Sequence, residues 1–215
     1  KMAVLGQISA GINHELNQPL TAIRSYTQNA QQFLQRGNIE TADHNLTEII
    51  NLTDHMASIV GQLKVFSRKR GDSLTPVDVL ASLNDAVKIM SPQVKQHHVN
   101  IIIHSSDQPY TAMGDLIRLE QVFINLISNA IHAMSQSKTR QVSINLEIIN
   151  HHIVIHIEDT GPGIASNNIK HVFEPFFTTK DINKGTGIGL ALTHSIIAEH
   201  NGTIRLESSR GQGST

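Results

Sequence analysis

Four short stretches carry side chains that can do chemistry. In "NHELNQP", residues 13–19, His14 stands beside Glu15. At pH 7 a free imidazole, with an ordinary pKa of about 6.5, is mostly neutral and offers a nucleophilic nitrogen. Glu15 is placed to orient the other ring nitrogen or take its proton, the base-and-nucleophile pairing of a phosphoryl acceptor. An exposed His–Glu pair is also ordinary protein surface. In "FINLISNA", residues 123–130, Asn125 and Asn129 sit four apart among bulky apolar residues. A buried amide without partners is expensive, so either a protein network or a polar ligand must satisfy them. "EDTGPG", Glu158 to Gly163, ends an alternating stretch. An acid before two glycines suits a turn that brings backbone close to a ligand, or one in which Asp159 bonds its own backbone. "GTGIGL", Gly185 to Leu190, opens a helical pattern, and N–H groups at a helix start bind phosphate well. It is neither the dinucleotide GxGxxG nor a P-loop GxxxxGK[ST].

Of the thirteen histidines, most have plainer settings. His97-His98 and His151-His152 fall at strand starts or turns. His152 and His156 are four apart on an alternating stretch, which is not metal-chelating helix spacing, and HExxH is absent, so no structural metal is expected.

The elements that must hold these residues divide the chain into unlike halves. Through residues 1–70 the pattern is helical. Leu5, Ile8, Ile12, Leu16, Leu20 and Ile23 recur every three or four positions, continuing through Tyr26, Ala30 and Phe33. Gly37 in "RGN" is a stop signal, and Leu46, Ile49, Thr53, Met56, Val60 and Leu63 then form an a/d seam. Two such helices make an antiparallel hairpin of roughly 50 Å by helix rise. A lone hairpin hides one stripe per helix, so pairing into a four-helix bundle, a homodimer, is expected. His14 lies about 200° round the helix from Ile12, on the solvent side. Pro19 interrupts the pattern, and removes the usual donor from the Glu15 carbonyl. It either kinks one helix or starts a second; the seam running on through Leu20 and Ile23 favours the kink.

Residues 71–77 read as a linker, and 78–215 as an α+β sandwich with helices on one face of a mixed sheet. The reading places helices at 79–90, 115–134 and 188–200, strands at 98–104 and 203–208, and a hairpin of 141–148 with 152–159 across "INHH". On the 115–134 helix, Leu119, Val122, Phe123, Leu126, Ala130 and Ala133 form the expected core face, and Gln121, Asn125, Ser128, Asn129 and His132 another.

Bulk composition narrows the partners. The chain is 39% hydrophobic and 16% charged with a net charge of −1, so it carries no strong basic field for nucleic acid. The absence of cysteine excludes disulfides and thiolate metal sites and suits a reducing cytosol. No apolar run approaches the roughly 18 residues of a membrane span. The chain opens inside a helical pattern and stops at "GQGST", which reads as a piece of a longer protein.

Taken in order, the Asn-bearing helix, DTGPG, "FEPFFTTK" (173–180) and GTGIGL resemble the N, G1, F and G2 boxes of the histidine kinase catalytic domain, whose fold is shared with gyrase, Hsp90 and MutL. "HELNQPL" resembles the H box of the dimerisation and phosphotransfer domain of the same kinases, with "AIRSYTQNA" looking most like the C4-dicarboxylate-transport sensor group.

The resemblance implies a Mg²⁺-ATP-dependent protein-histidine kinase of two-component signalling. His14 is then the phosphoacceptor and Glu15 its activating acid. Asp159 accepts from the adenine amino group, with Gly161 and Gly163 shaping the base pocket. Asn125 helps hold Mg²⁺ and Asn129 lies near the phosphates. Residues from about Thr178 to Gly187 form a mobile ATP lid with Lys180 a phosphate contact, and Gly185, Thr186, Gly187, Gly189 and Leu190 belong to the nucleotide-binding set. Phe173, Phe176 and Phe177 anchor that lid or are plain core. The partner is a response regulator, and the parent is a bacterial inner-membrane protein of which this is the cytoplasmic portion.

Two departures matter. The ATP-hydrolysing relatives carry a glutamate base four residues before the position of Asn129; here Asn125 stands there, which argues for a kinase over a gyrase- or Hsp90-type ATPase. Intact His14, Asn125 and GTGIGL argue against a non-enzymatic ATP-binding scaffold. Relatives that dephosphorylate their partner use Thr or Asn four residues after the histidine; Gln18 holds that place, which leaves phosphatase activity open.

Overall fold

The computed structural model describes residues 2–67, 74–179, 187–209, 211 and 213–215; before residue 74 the side chains described are those of 16–53, 56 and 60. The chain divides into two compact units, residues 1–68 with 175–188, and residues 69–174 with 189–215.

The first unit is built on a helical hairpin, α1 (Met2–Gln35) and α2 (Ile39–Ser67). Three residues make the turn. Gly37 adopts φ +72° and donates to the Leu34 carbonyl, while Asn38 donates to that of Phe33. This paired closure satisfies carbonyls at the end of α1 and needs a residue free to enter the left-handed region. The Asn38 side chain then accepts from the Thr41 N–H and caps α2. The expected stop at Gly37 is thus present in detail. Pro19 lies inside a continuous α1, so no second helix starts there.

The seam inside the hairpin differs from the expected one. Ala42, Asn45 and Leu52 are buried on α2, with Ile49 and Met56 half-buried between and after them. Leu46 and Val60, expected in the seam, are 47% and 53% exposed. They belong, with Ile39 and Ile50, to a second apolar stripe that the hairpin itself does not cover. Leu20 and Leu34 on α1 are likewise exposed.

In the second unit, β1 (Thr75–Asp78) leads into α3 (Val79–Gln96), which Asp78 caps by accepting from the Ala81 N–H. Then follow β2 (Asn100–His104), β3 (Thr111–Gly114), α4 (Leu116–Ala133) with a 3₁₀ turn at Met134–Gln136, β4 (Gln141–Ile149), β5 (His152–Asp159), the short α5 (Ser166–Ile169) and α6 (Gly189–Glu199). The mixed sheet has the order β2-β4-β5, with β2 parallel and β5 antiparallel to β4, while β1 and β3 pair separately. Val142, Ile144 and Leu146 are buried and their neighbours Ser143, Asn145 and Glu147 are not, the alternation of a one-faced sheet. Asn150 and His151 both take positive φ in the two-residue β4–β5 turn, matching the strand twist.

Three sequence expectations need correction here. Residues 71–77 do not read through as a linker, because β1 begins at Thr75 and pairs with β3, neither strand having been foreseen. No strand forms over 203–207, where the backbone has no ladder; pairing is confined to Ser208 and Glu207 with the 214–215 backbone. The core face of α4 also rotates slightly. Ile127 and Ile131 are fully buried, while Ala133 is exposed, because α4 packs against α3 on one side and α6 on another.

Candidate functional site

α4 is the spine of the site. Asn125, Asn129 and Ala133 follow one another at four-residue intervals and so form a single ridge, about 12 Å long by helix rise. Two glycine-bearing elements of the same unit lie along it. At one end, a Cβ added to Gly189 would stand 4.0 Å from both Asn125 Cγ and Asn129 Nδ2. At the other, a Cβ added to Gly161 would stand 3.3 Å from that of Ala133. The start of α6 and the turn after β5 thus share one helix face.

Asn125 is 7% exposed, and its amide is committed within the protein. Its Oδ1 accepts from Gln121 Nε2 at 2.9 Å, and its Nδ2 donates to the Gly189 carbonyl at 3.3 Å and the Thr193 hydroxyl at 3.5 Å. Of the two ways to satisfy this amide, the structure shows the protein network. A carbonyl oxygen has a second lone pair, so Oδ1 retains capacity for one further partner. Asn129 is half-buried beside it. Leu190 follows Gly189 in the first turn of α6, also half-buried.

Asp159 closes β5. Its Oδ1 accepts from the Gly161 N–H at 2.7 Å. A Cβ on Gly161 would stand 2.6 Å from that same oxygen, so only glycine lets the turn fold this tightly. Burial pushes the Asp159 carboxyl up from its ordinary value, with hydrogen bonds from Gly161 and Ser214 pulling it down. Thr160 fastens the turn to the sheet, its hydroxyl accepting from the Gln141 N–H at 3.0 Å and donating to the Thr139 carbonyl at 2.9 Å. Gly163 takes φ +70°, where a Cβ would overlap the Ser209 carbonyl.

In the first unit, His14 and Glu15 fall on α1, but their side chains lie outside the described residues, as do Lys180, Gly185 and Thr186 altogether. Gln18 is on the exposed side of α1. Gly187 takes φ +63° against the Phe176 backbone, whose N–H donates to the Gly187 carbonyl at 3.0 Å. Phe173, in the other unit, stacks on His194 with ring centroids 5.4 Å apart.

Three participants escaped sequence reasoning. Thr193 falls four residues after Gly189, a spacing that would have put its hydroxyl on the same face. Ser208 and Gly213 hold the Asp159 turn from behind, and the glycines of "GQGST" were the available signal.

Chemically, the ridge offers the backbone N–H groups of a helix start and amide side chains at one end, and a carboxylate acceptor with a glycine-lined turn at the other. The first combination suits phosphate and the second suits a base bearing an amino group. Among the described residues no group of three or more acidic or histidine side chains can hold a metal ion. A single amide oxygen plus phosphate oxygens is, however, a donor set that Mg²⁺ accepts.

Comparison with known proteins bears on both units. Residues 4–72 match the family described as "His Kinase A (phospho-acceptor) domain", and residues 114–215 the family "Histidine kinase-, DNA gyrase B-, and HSP90-like ATPase". The C4-dicarboxylate transport sensor protein DctB of Rhizobium meliloti is 35% identical over 208 residues, covering 97% of this chain and 33% of that protein. The chain therefore spans about a third of the length of the curated relatives first matched. Among solved structures, the histidine kinase AdeS of Acinetobacter baumannii aligns over 94% of each chain with a TM-score of 0.70 at 26% identity. The histidine kinase ThkA, solved in complex with the response regulator protein TrrA, shares the fold over 99% of this chain and 60% of that one, with a TM-score of 0.72 at 21% identity.

Proposed function

Because the chain belongs to the histidine kinase family, with a helical phospho-acceptor hairpin followed by an ATPase-like α/β domain, we propose that it autophosphorylates His14 from Mg²⁺-ATP and passes the phosphoryl group to an aspartate of a response regulator. The observation that carries the nucleotide half is the α4 ridge, with Gly189 against Asn125 and Asn129 at one end and the Asp159–Gly161 turn at the other. Asp159 accepts from the adenine amino group. Gly161 and Gly163 keep side chains out of the base's way. Asn129 and the N–H groups of Gly189 and Leu190 meet the phosphates, with Lys180, Gly185, Thr186 and Gly187 contributing from the preceding segment. Asn125 supplies the protein's oxygen to Mg²⁺, which neutralises phosphate charge when bound.

In the transfer, the bond from the γ-phosphorus to the bridging oxygen breaks with its electrons going to ADP. A bond from phosphorus to a His14 ring nitrogen forms, and Glu15 holds or takes the proton of the other nitrogen. Such transfers have loose transition states, so positioning supplies most of the rate. Asn125, an amide, cannot serve as general base for water, and this favours kinase over ATPase. Residues 1–70 form the dimerisation and phosphotransfer domain, and the catalytic domain that binds ATP begins with β1 at Thr75. The exposed stripe of Ile39, Leu46, Ile50 and Val60, with Leu20 and Leu34, supports a homodimer that buries it. No described helix is long and apolar enough to cross a membrane. Anchoring of the parent protein in a bacterial inner membrane, with this portion cytoplasmic, is part of the same proposal.

Incubation with γ-labelled ATP tests the reading. Acid-labile, base-stable label on the protein is expected, and it is lost in His14→Gln. Free phosphate without labelled protein supports an ATPase instead, neither signal supports a binding scaffold, and label surviving in His14→Gln refutes the site.

A further inference from the structure

We propose that the Ser208 hydroxyl is a positioning group for the base-binding turn, so that the segment 207–215 sets adenine selectivity without touching the base. The inference rests on the nucleotide reading of that turn given above.

The segment folds back on the turn from Asp159 to Ile164. Asp159 N–H donates to the Ser214 carbonyl at 3.0 Å, and Gly211 N–H to the Pro162 carbonyl at 2.7 Å. Glu207 and Thr215 exchange both backbone bonds at 2.8 Å, closing the segment on itself. Contact between turn and segment is too close for side chains at two places. A Cβ at Gly163 would overlap the Ser209 carbonyl, and one at Gly213 the Asp159 carbonyl.

Into this backbone-on-backbone contact the chain inserts one hydroxyl. Ser208 Oγ accepts from the Ile164 N–H at 2.7 Å and donates to the Gly213 carbonyl at 2.8 Å, with Ser214 Oγ 3.0 Å away. The first bond ties down the far end of the turn, and the second fixes Gly213 against the Asp159 carbonyl. Among the described residues the segment's other links to the turn come from its main chain, with Ser214 also reaching the Asp159 carboxyl. Ser208 is half-buried, so its removal leaves two polar groups of the turn and segment imperfectly satisfied.

The consequence is asymmetric. Losing the hydroxyl loosens the Asp159 end of the ridge and leaves the Asn125–Gly189 end intact. Nucleotide affinity should fall through base recognition, not through the phosphates. The informative pair of ligands is therefore ADP and inosine diphosphate, which carry the same phosphates but only one of which has the amino group that Asp159 accepts.

Titration calorimetry of the whole chain with each ligand decides the matter. Ser208→Ala should weaken ADP roughly three- to tenfold, the worth of one or two net hydrogen bonds. It should leave inosine diphosphate unchanged, so the preference narrows by that factor. Ser208→Thr, which keeps the hydroxyl, should restore it. An unchanged preference in Ser208→Ala, or equal loss of both ligands, overturns the positioning role. A wild-type chain that binds neither ligand overturns the nucleotide reading itself, and this inference with it. If Ser208→Ala does not fold, amide exchange of the wild-type chain still decides: Ile164 should exchange slowly, and fast exchange at Ile164 overturns the proposal.

Discussion

The backbone N–H of Asp115 donates to Nε2 of His200 at 2.9 Å, joining residues 85 positions apart. The other ring nitrogen, Nδ1, lies 2.8 Å from the Ile196 carbonyl and must donate to it, so these two contacts fix a neutral tautomer with its proton on Nδ1. Arg118 pairs with Glu199 alongside. These links join the start of α4 to the end of α6, whereas Asn125 and Thr193 meet further along. The two helices are therefore antiparallel, latched at one end and carrying the proposed phosphate site at the other. Gly114 makes room for the latch, since a Cβ there would stand 3.1 Å from the His200 ring.

His200→Ala should therefore act at a distance. It leaves the Asp115 N–H without its acceptor and a space beside Gly114, for a stability loss of about 1–3 kcal/mol in urea unfolding. With the latch gone, Gly189 is held less firmly against Asn125, and ADP affinity should fall a few-fold. Unchanged affinity at a temperature where the variant is fully folded would show that the latch stabilises the domain without tuning the site.

Asp159 predicts opposite effects on stability and binding. Because burial raises its folded pKa above the ordinary 3.8, the folded chain holds the proton to higher pH than the unfolded chain does. Between the two values the folded state binds more protons, so this group's contribution to stability falls as pH rises and stays unfavourable at neutral pH. Asp159→Asn should accordingly raise the melting temperature of the nucleotide-free chain at pH 7. The gap should close as the pH drops below the ordinary carboxylate value. The same variant should lose nucleotide binding and keep its dimer by light scattering. A melting gap that widens on acidification would contradict the burial argument.

Periodicity made much of this legible. The two-residue alternation of 141–148 and 152–159 marked a hairpin that forms over those residues, and three-four spacing marked α3, α4 and α6. It failed where elements are too short or too plain to show a period. β1 is "TPVD" and β3 "TAMG", four residues each, and their pairing is visible only in three dimensions. The opposite error was "TIRLES", which alternates well but finds a partner only at its last two residues. Spacing brought out Asn125, Asn129, Asp159 and Gly161, but not the ridge that joins them, because Ala133 is chemically silent. The one-residue offset of the α2 seam was hidden too, since two apolar stripes adjoin and spacing alone cannot say which faces α1.

Gly187 offers a local test of the proposed lid. It and Phe176 both take left-handed backbone, at φ +63° and +69°, and a bond from the Phe176 N–H to the Gly187 carbonyl draws them together. A side chain at 187 meets the Phe176 main chain, which cannot yield as a flexible side chain would. The conformation alone costs a residue bearing a Cβ about 1–2 kcal/mol. Gly187→Ala should keep its far-UV dichroism and lose about tenfold or more in the rate of His14 labelling. A labelling rate equal to that of the parent chain would mean that this closure has no part in the transfer.

Pro19 offers a test in the first unit. The helix runs unbroken from Met2 to Gln35, and the proline ring is fully buried. The Glu15 carbonyl therefore lacks its usual donor inside a continuous helix, one residue past His14. The next turns carry hydroxyl back-bonds: Thr21 donates to the Asn17 carbonyl at 2.8 Å, Ser25 to that of Thr21 at 3.1 Å and Thr27 to that of Ile23 at 2.8 Å. Such hydroxyl back-bonding slightly weakens and bends helices, so the proline heads a soft stretch. Pro19→Ala restores a donor to the Glu15 carbonyl. Amide exchange should slow around residues 19–23 even if loss of the buried ring costs some global stability. If bending at this place presents His14 differently to the ATP domain and to the response regulator, the variant should shift the ratio of autophosphorylation to partner dephosphorylation. Slower exchange with both rates unchanged would leave Pro19 a structural feature of the helix and sink its role as a hinge.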